Sequence, residues 1–326
     1  MRFYQKMKER FNVRADSVVW QDLEALKGSD LKGTGLRYGA FAQTLQKKTS
    51  LPIEYILPRI EVHYKDELPA SMKSAEERYK QDPATAQRLS EMHWGYYFYL
   101  GGGVSTVDNA PSVRERNRAS SIMRMRMIND VVDQISGESK SNMELLDFAC
   151  NWGGMSIDMA LRGFARVTAF DFKEENIQRA KALGTYMGAT NVEFEMQNVY
   201  NLPDRYNDGF DVVYNLGLLY HVTDPVRLAQ ITYRLTRKIA VFDTLAHKEP
   251  FSGYIQAFIS NEAIKRPGMG EQQIELHPTY RGLIDIIRFA GFKELVEVAP
   301  VIGDDYPDRE KDAYYQGLRR TIIAFK

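Results

Sequence analysis

The sequence predicts an α/β protein with a mainly parallel sheet that carries helices on both faces. The first indication is a buried-strand pattern at 145–149, followed by a turn of small residues and a helix near 154–163. The second is that strand and helix patterns then alternate regularly as far as Asp243. Such alternation is typical of parallel sheets, because each crossover helix packs back onto the sheet.

The composition is that of a globular protein. The chain has 326 residues, of which 44% are apolar and 26% are charged, enough for one large domain or two modest ones. Lys and Arg total 43, as do Asp and Glu, so the basic excess of most nucleic-acid-binding proteins is absent. Nucleic acid is therefore a disfavoured partner, although a local basic patch would still allow one.

The expected location is the cytoplasm. Cys150 is the only cysteine, so no disulfide can form within the chain, as is usual in a reducing compartment. No apolar run approaches the roughly 18 residues of a membrane span, and the first residues lack the apolar core of a signal peptide. No membrane partner is expected.

Residues 1–111 are predicted to form a mainly helical N-terminal cap. Val18, Val19, Leu23 and Leu26 recur near helical spacing. The cap either covers the main domain as a solvated appendage or serves substrate recognition or homodimer formation. At its end, the aromatic run from Trp94 to Tyr99 adjoins three glycines, which predicts a lid that closes over a ligand. The alternative is a hairpin packed on the core.

The main domain is predicted to span 112–326, and its elements follow in order. A helix over 112–136 comes first, with an apolar stripe on one side. After the strand and helix named above, the predicted elements are a strand at 165–170, a helix at 174–187, strands at 192–196 and 210–216, a helix at 225–235, a strand at 238–243, a helix opened by 277–279 and ending at 290, and strands at 292–298 and 321–325.

The turn after the first core strand indicates which nucleotide is bound. A dinucleotide site needs G-x-G-x-x-G, whereas those places hold Ala149, Asn151 and Gly154. The stretch instead resembles motif I of class I S-adenosylmethionine-dependent methyltransferases, acid-x-G-x-G-x-G. Asp147 is the acid, Ala149 and Asn151 replace two glycines, and Gly153 is the third. The resemblance implies a seven-stranded Rossmann-like sheet.

The same resemblance implies a set of residues that bind the cofactor S-adenosylmethionine. Asp171 would bind the ribose hydroxyls, Phe172 would stack on adenine, and Asn198 would meet the adenine amino group. Residues 215–217 would line the methionine arm. One of Arg114, Arg116, Arg118, Arg124 and Arg126 would meet the methionine carboxylate, unless all are solvated surface charges. The full predicted set is Asp147, Ala149, Asn151, Gly153, Asp171, Phe172, Asn198, Val199, Asn215, Leu216 and Tyr220.

Three histidines are the candidate catalytic residues. His221 and His247 follow the ends of two neighbouring parallel strands, and His277 returns to the same edge of the sheet. Each could orient an acceptor or take its proton, because imidazole titrates near neutral pH. A weaker alternative is that His247, Glu275 and His277 bind a divalent metal ion. The main interpretation includes no metal.

The predicted activity is methyl transfer from S-adenosylmethionine to a small polar metabolite, such as a 2-oxo acid or a natural-product intermediate. The run at 210–225 resembles motif IV of the same methyltransferases. The aromatic segment resembles one found before motif I in some of them, including the family that makes carboxymethyl groups on wobble uridine, so modification of a tRNA base is an alternative. A third interpretation is a non-catalytic partner protein that binds the cofactor.

Overall fold

The computed structural model describes residues 18–19, 55, 57–92, 94–107, 114–206, 209–247, 255–259 and 274–326. Its strands are β1 (Val18–Val19), β2 (Arg59–His63), β3 (Tyr99–Gly101), β4 (Val104–Ser105), β5 (Glu144–Phe148), β6 (Arg166–Asp171), β7 (Val192–Met196), β8 (Phe210–Leu216), β9 (Thr236–Leu245), β10 (Ile255–Ile259), β11 (Ile274–Pro278), β12 (Glu294–Val301) and β13 (Arg319–Phe325).

The helices lie between these strands. They are α1 (Ala70–Lys73), α2 (Ala75–Gln81), α3 (Pro83–Ser90), α4 (Arg114–Met125), α5 (Val131–Ser136), α6 (Gly154–Leu161), α7 (Glu174–Met187), α8 (Leu202–Arg205), α9 (Pro225–Leu235) and α10 (Tyr280–Ala290). A π-helical turn, Arg126–Asp130, joins α4 to α5, so the helix predicted over 112–136 is present with a local widening.

The central sheet confirms the predicted fold class. Its order is β1-β2-β12-β13-β9-β8-β5-β6-β7. Strands β7, β6, β5, β8 and β9 are parallel, and β13 is antiparallel to both β9 and β12. Strand β8 is buried along its whole length, as expected for a strand covered on both faces. The carboxyl ends of the parallel strands therefore meet along one edge of the sheet.

The sheet is wider than the seven strands predicted. Strand β2 pairs in parallel with β12, and β1 pairs with β2, so the predicted helical cap contributes strands to the main sheet. The alternation of Ile60 and Val62 with polar neighbours buries one face of β2, and this period of two is typical of a strand. Within the described part of the cap, α-helix is present at 70–90, as α1 to α3.

Helix α10 begins three residues later than predicted. His277 and Pro278 belong to β11, and Thr279 caps the helix by accepting a hydrogen bond from the Gly282 N–H at 3.0 Å. Helix α9 starts as predicted, with Asp224 as its N-cap and Pro225 in its first turn.

The aromatic segment at 94–107 is a hairpin, β3–β4, packed against the cap helices. Trp94, Phe98 and Leu100 are buried. A Cβ atom on Gly101 would lie 2.4 Å from the Ala75 carbonyl oxygen. The glycines expected to permit movement therefore also permit close packing, which matches the hairpin alternative. Closure over a ligand remains a prediction.

Candidate functional site

The turn between β5 and α6 holds three residues in the left-handed region. Their φ angles are 53° at Ala149, 53° at Asn151 and 77° at Gly153. A left-handed conformation costs a residue with a side chain about 1–2 kcal/mol. Two hydrogen bonds stabilise the turn, from the Cys150 N–H to the Phe170 carbonyl at 2.7 Å and from the Gly153 N–H to the Cys150 carbonyl at 2.9 Å. The turn thus keeps a glycine-type backbone although two glycines are replaced.

Asp171 joins the tip of β6 to this turn. Its Oδ2 accepts the Asn151 N–H at 3.0 Å, and its Oδ1 accepts the Lys173 N–H at 2.9 Å and the Asn176 Nδ2 at 3.1 Å. Burial raises the pKa of Asp171, against these hydrogen bonds, which lower it. The carboxylate is therefore held in one orientation at the edge of the sheet.

Asp147 lies beneath the turn and is nearly inaccessible to solvent. The Ser156 hydroxyl donates to its Oδ2 at 2.5 Å. Burial raises the pKa of Asp147 to about 7, although Ser156 opposes the shift. The side chain is thus close to its protonation midpoint at neutral pH.

A cavity of about 530 Å³ opens above these residues. Its aromatic wall includes Trp152, whose ring meets Trp94 edge-on at 5.7 Å and Tyr96 at 6.0 Å between centroids. Phe172 lines the cavity, yet its side chain is 57% exposed. The remaining lining comes from the ends of β5, β6 and β8, from the turn and the start of α6, from α4 and α7, and from the segment after β8. The volume is in the range of small-molecule sites.

The structure brings many of the predicted residues to this cavity. Those that line it are Asp147, Ala149, Asn151, Asp171, Phe172, Leu216, Tyr220 and His221. Those that do not are Gly153, Asn198, Val199, Asn215, His247 and His277.

Local contacts explain why three of the predicted residues do not line the cavity. A Cβ atom on Gly153 would lie 2.7 Å from the Phe194 ring, so this glycine serves packing. Asn198 is exposed, and its Oδ1 accepts the Tyr200 N–H at 3.0 Å as a helix cap. Asn215 is fully buried, and its Nδ2 donates to Thr232 Oγ1 at 3.1 Å on α9, away from the cavity. The predicted contacts of Asn198 and Asn215 with the cofactor are therefore not supported by this geometry.

Two arginines share one buried carboxylate beside the cavity. Arg124 donates to Asp243 Oδ1 through Nη2 at 2.9 Å, and Arg319 donates to the same oxygen through Nε at 2.8 Å. Thr321 donates to Oδ2 at 2.8 Å. Burial would raise the pKa of Asp243, but the guanidinium groups of Arg319 and Arg124 hold it well below its usual range. The group as a whole carries one net positive charge.

Both arginines lie at or near the wall of the cavity. Arg124 lines the cavity, and its guanidinium lies 5.9 Å from the centre of the Tyr96 ring. Gly217 also lines the cavity, and Arg319 lies next to it: a Cβ atom added to Gly217 would be 3.1 Å from Arg319 Nη2. Sequence reasoning had included Arg124 among several arginines but had missed Arg319 and Asp243.

The three predicted histidines lie together at the same edge of the sheet. Glu275 stands between His221 and His277, and the rings of His277 and His247 are 6.1 Å apart. Among the residues that the structure describes, no three His, Cys, Asp or Glu side chains are arranged to bind a metal ion. The catalytic role of the histidines remains a prediction.

Comparison with known proteins gives a match over residues 139–262 to a family described as "Methyltransferase domain". The chain is 27% identical over 133 residues to a ubiquinone biosynthesis O-methyltransferase of Neisseria meningitidis, covering 40% of this chain and 56% of that protein. It is 32% identical over 127 residues to the Pseudomonas putida protein of the same name, covering 39% and 53%. The chain thus spans about half the length of these relatives.

A solved structure with a similar fold is a putative S-adenosylmethionine-dependent methyltransferase from Listeria monocytogenes. The TM-score is 0.47 at 17% identity, and the match covers 63% of this chain and 98% of that one. Within the described part of this chain, no helix has the length and apolar character needed to cross a membrane.

Proposed function

We propose that this chain, a member of the class I S-adenosylmethionine-dependent methyltransferase superfamily, transfers a methyl group to a small polar acceptor that carries an acidic group. The observation that carries the proposal is the pair Arg124 and Arg319 around Asp243, which leaves one positive charge unneutralised beside the cavity. A buried surplus charge is costly unless it meets a counter-ion. An acidic acceptor would supply one.

Three observations support the cavity as the binding site of S-adenosylmethionine. Asn151 Oδ1 is buried and has no hydrogen-bond partner among the described residues, so it is available to a ligand. Phe172, which follows Asp171, is largely exposed, with Lys173 Nζ 5.4 Å from the centre of its ring. Gly154 starts α6 at the cavity wall, where the N–H groups of a helix start favour polar ligand atoms. Asp171 would bind ribose, and Phe172 would bind adenine.

S-adenosylmethionine supplies a methyl group already activated by its sulfonium, so the protein contributes mainly alignment. Asp171 ends β6, whereas Asp243 is in β9, and the order β9-β8-β5-β6 separates the two by two strands. A ribose bound at the carboxyl end of β6 leaves the part of the cavity above β8 and β9 for the acceptor. This topology supports assigning the arginine pair to the acceptor.

Oxygen is the accepting atom that the curated relatives support, since both are named as O-methyltransferases. We therefore propose a small hydroxy acid as the acceptor. An RNA acceptor is less well supported, because 43 basic and 43 acidic residues leave no overall charge to attract a phosphate backbone.

The test is incubation with methyl-labelled cofactor and, in separate reactions, hydroxy acids, fractionated metabolites and fractionated tRNA. Label in a small acid supports the proposal. Label only in tRNA, or cofactor binding without transfer to any fraction, would contradict it and favour one of the two alternative functions.

Arg124→Gln tests the acid-binding role. We expect the KM for the acid to rise about 10- to 100-fold, the effect of losing one charge-assisted hydrogen bond, with S-adenosylhomocysteine affinity nearly unchanged. Arg320→Gln is the matched control, because Arg320 is on the same strand as Arg319 but pairs with Glu297. Weaker S-adenosylhomocysteine binding by Arg124→Gln would instead assign the charge to the methionine carboxylate.

A further inference from the structure

Glu275 lies between two imidazoles, one of which, His221, lines the cavity. Its Oε2 is 2.9 Å from Nε2 of His277, a hydrogen bond, and its Oε1 is 3.8 Å from Nδ1 of His221. All three side chains are largely buried, with 11% of Glu275, 13% of His221 and 14% of His277 exposed. The hydrogen bond to His277 fixes the position of the carboxylate, and a carboxylate at this distance from His221 stabilises that imidazole when it gains a proton.

The ring of Tyr220 packs against both imidazoles. The Tyr220 ring lies 4.0 Å from the His221 ring and 5.5 Å from the His277 ring, between centroids. Burial raises the pKa of Tyr220, so this phenol stays neutral. Limited access of water strengthens the interaction between Glu275 and a protonated neighbour.

Only one of the three histidines reaches the cavity. His221 lines it, whereas His277 and His247 do not. The three predicted catalytic histidines therefore differ in their access to the cavity, and the Glu275 carboxylate lies within 4 Å of both His221 and His277.

We propose that His221 takes the hydroxyl proton of the acceptor and that Glu275, anchored by His277, is the positioning residue that holds His221 for this step. The inference rests on the proposed function, because only an acceptor with a proton to lose needs a base.

The step balances without a further reactant. The acceptor oxygen forms its bond to the methyl carbon while the carbon–sulfur bond breaks and its electron pair stays on sulfur. The hydroxyl proton passes to His221, and the Glu275 carboxylate faces the resulting imidazolium. The proton later leaves to solvent.

Glu275→Gln is the first test, because it keeps the shape of the side chain and removes its charge. The acceptor is a hydroxybenzoate whose hydroxyl group is only weakly acidic. With this acceptor we expect kcat to fall about 10- to 100-fold. The KM for the acid, its Kd in the presence of S-adenosylhomocysteine, and the affinity for S-adenosylhomocysteine should stay within about twofold of wild type. Glu61→Gln, on β2, is the control that removes one carboxylate elsewhere.

The second test separates proton transfer from a structural role. The kcat loss of His221→Ala should be partly reversed by added imidazole. The losses of His221→Ala and Glu275→Gln should both shrink across a series of ring-substituted hydroxybenzoates as the acceptor hydroxyl becomes more acidic, because such a hydroxyl needs less help to ionise.

The outcomes are distinguishable. Wild-type kcat in Glu275→Gln, or a loss that is constant across the acid series and not reversed by imidazole in His221→Ala, would overturn the inference and leave the proposed function intact. Failure of the wild-type protein to methylate any hydroxy acid, despite binding S-adenosylhomocysteine, would overturn the proposed function and this inference with it.

Discussion

Asp171 accepts three hydrogen bonds from its own chain, so its carboxylate is already oriented for a ligand. Asp171→Ala should weaken S-adenosylhomocysteine binding by on the order of 1.5–3 kcal/mol, the scale of a charge-assisted hydrogen bond. Isothermal calorimetry measures the loss, and circular dichroism checks that the turn mutant is folded. A folded Asp171→Ala protein with wild-type affinity would refute the ribose assignment.

Asp147 predicts a pH effect on stability. Burial raises its folded pKa from 3.8 to about 7, so between these values the folded state holds a proton more tightly than the unfolded state. The free energy of unfolding therefore falls as the pH rises from about 4 to 7, because the folded state has to release this proton. From pH 5 to pH 8 the loss should be on the order of 1–3 kcal/mol.

Asp147→Asn isolates this effect, since an amide stays neutral throughout. Urea denaturation at pH 5 and pH 8 should show the variant gaining unfolding free energy relative to wild type at the higher pH. If the free energy of unfolding changes equally in wild type and Asp147→Asn between pH 5 and pH 8, Asp147 does not hold a proton near neutrality.

At this scale, sequence predicts positions better than orientations. Asp171 could be identified because it ends the second strand of a strand–turn–helix–strand pattern. Asn198 and Asn215 occupy the expected positions, but a backbone N–H and the Thr232 hydroxyl bind their side chains instead. The Arg319–Asp243 pair spans 76 residues of chain, and no local pattern predicts such a contact.

At the scale of elements, residues 94–98, which precede the hairpin β3–β4, line one side of the cavity. Hydrogen exchange over 94–107 should slow when S-adenosylhomocysteine binds, because ligand contacts with this wall would suppress local opening. Strand β12, at the other side of the sheet, is the internal reference. If 94–107 exchanges at the same rate with and without ligand, the hairpin is a fixed wall.

Elements differ in how far the sequence predicts them. The parallel core strands are apolar runs between helices, so their existence followed from pattern alone. Strand β2 is short and lies in a polar segment, and its pairing with β12 joins residues more than 200 positions apart. Its alternating pattern was present in the sequence, but only the tertiary contact makes it part of the sheet.

For the whole molecule, the cap and the main domain share their interior. Strand β2 extends the central sheet, Ser71 bonds to the buried Asp158, and Tyr186 donates to the Leu100 carbonyl. A single hydrophobic cluster joins cap residues such as Trp94 and Leu100 to α7. The predicted boundary at 111/112 therefore crosses a continuous core.

We expect the full chain to unfold in one calorimetric transition. A protein of residues 112–326 alone should bind a dye for exposed apolar surface and melt at a lower temperature, because it loses the cap side of this cluster. Two separate transitions of the full chain, or a truncated protein as stable as the full one, would instead mark two independent units.

The indole pair at the cavity wall has a practical consequence. The chain has three tryptophans, and two of them, Trp94 and Trp152, meet edge-on where the cap closes against the turn. The emission of an indole depends on the polarity and motion of its surroundings, so the molecule contains its own optical reporter. Occupancy of the cavity can be followed by intrinsic fluorescence, without a label and without knowledge of the acceptor.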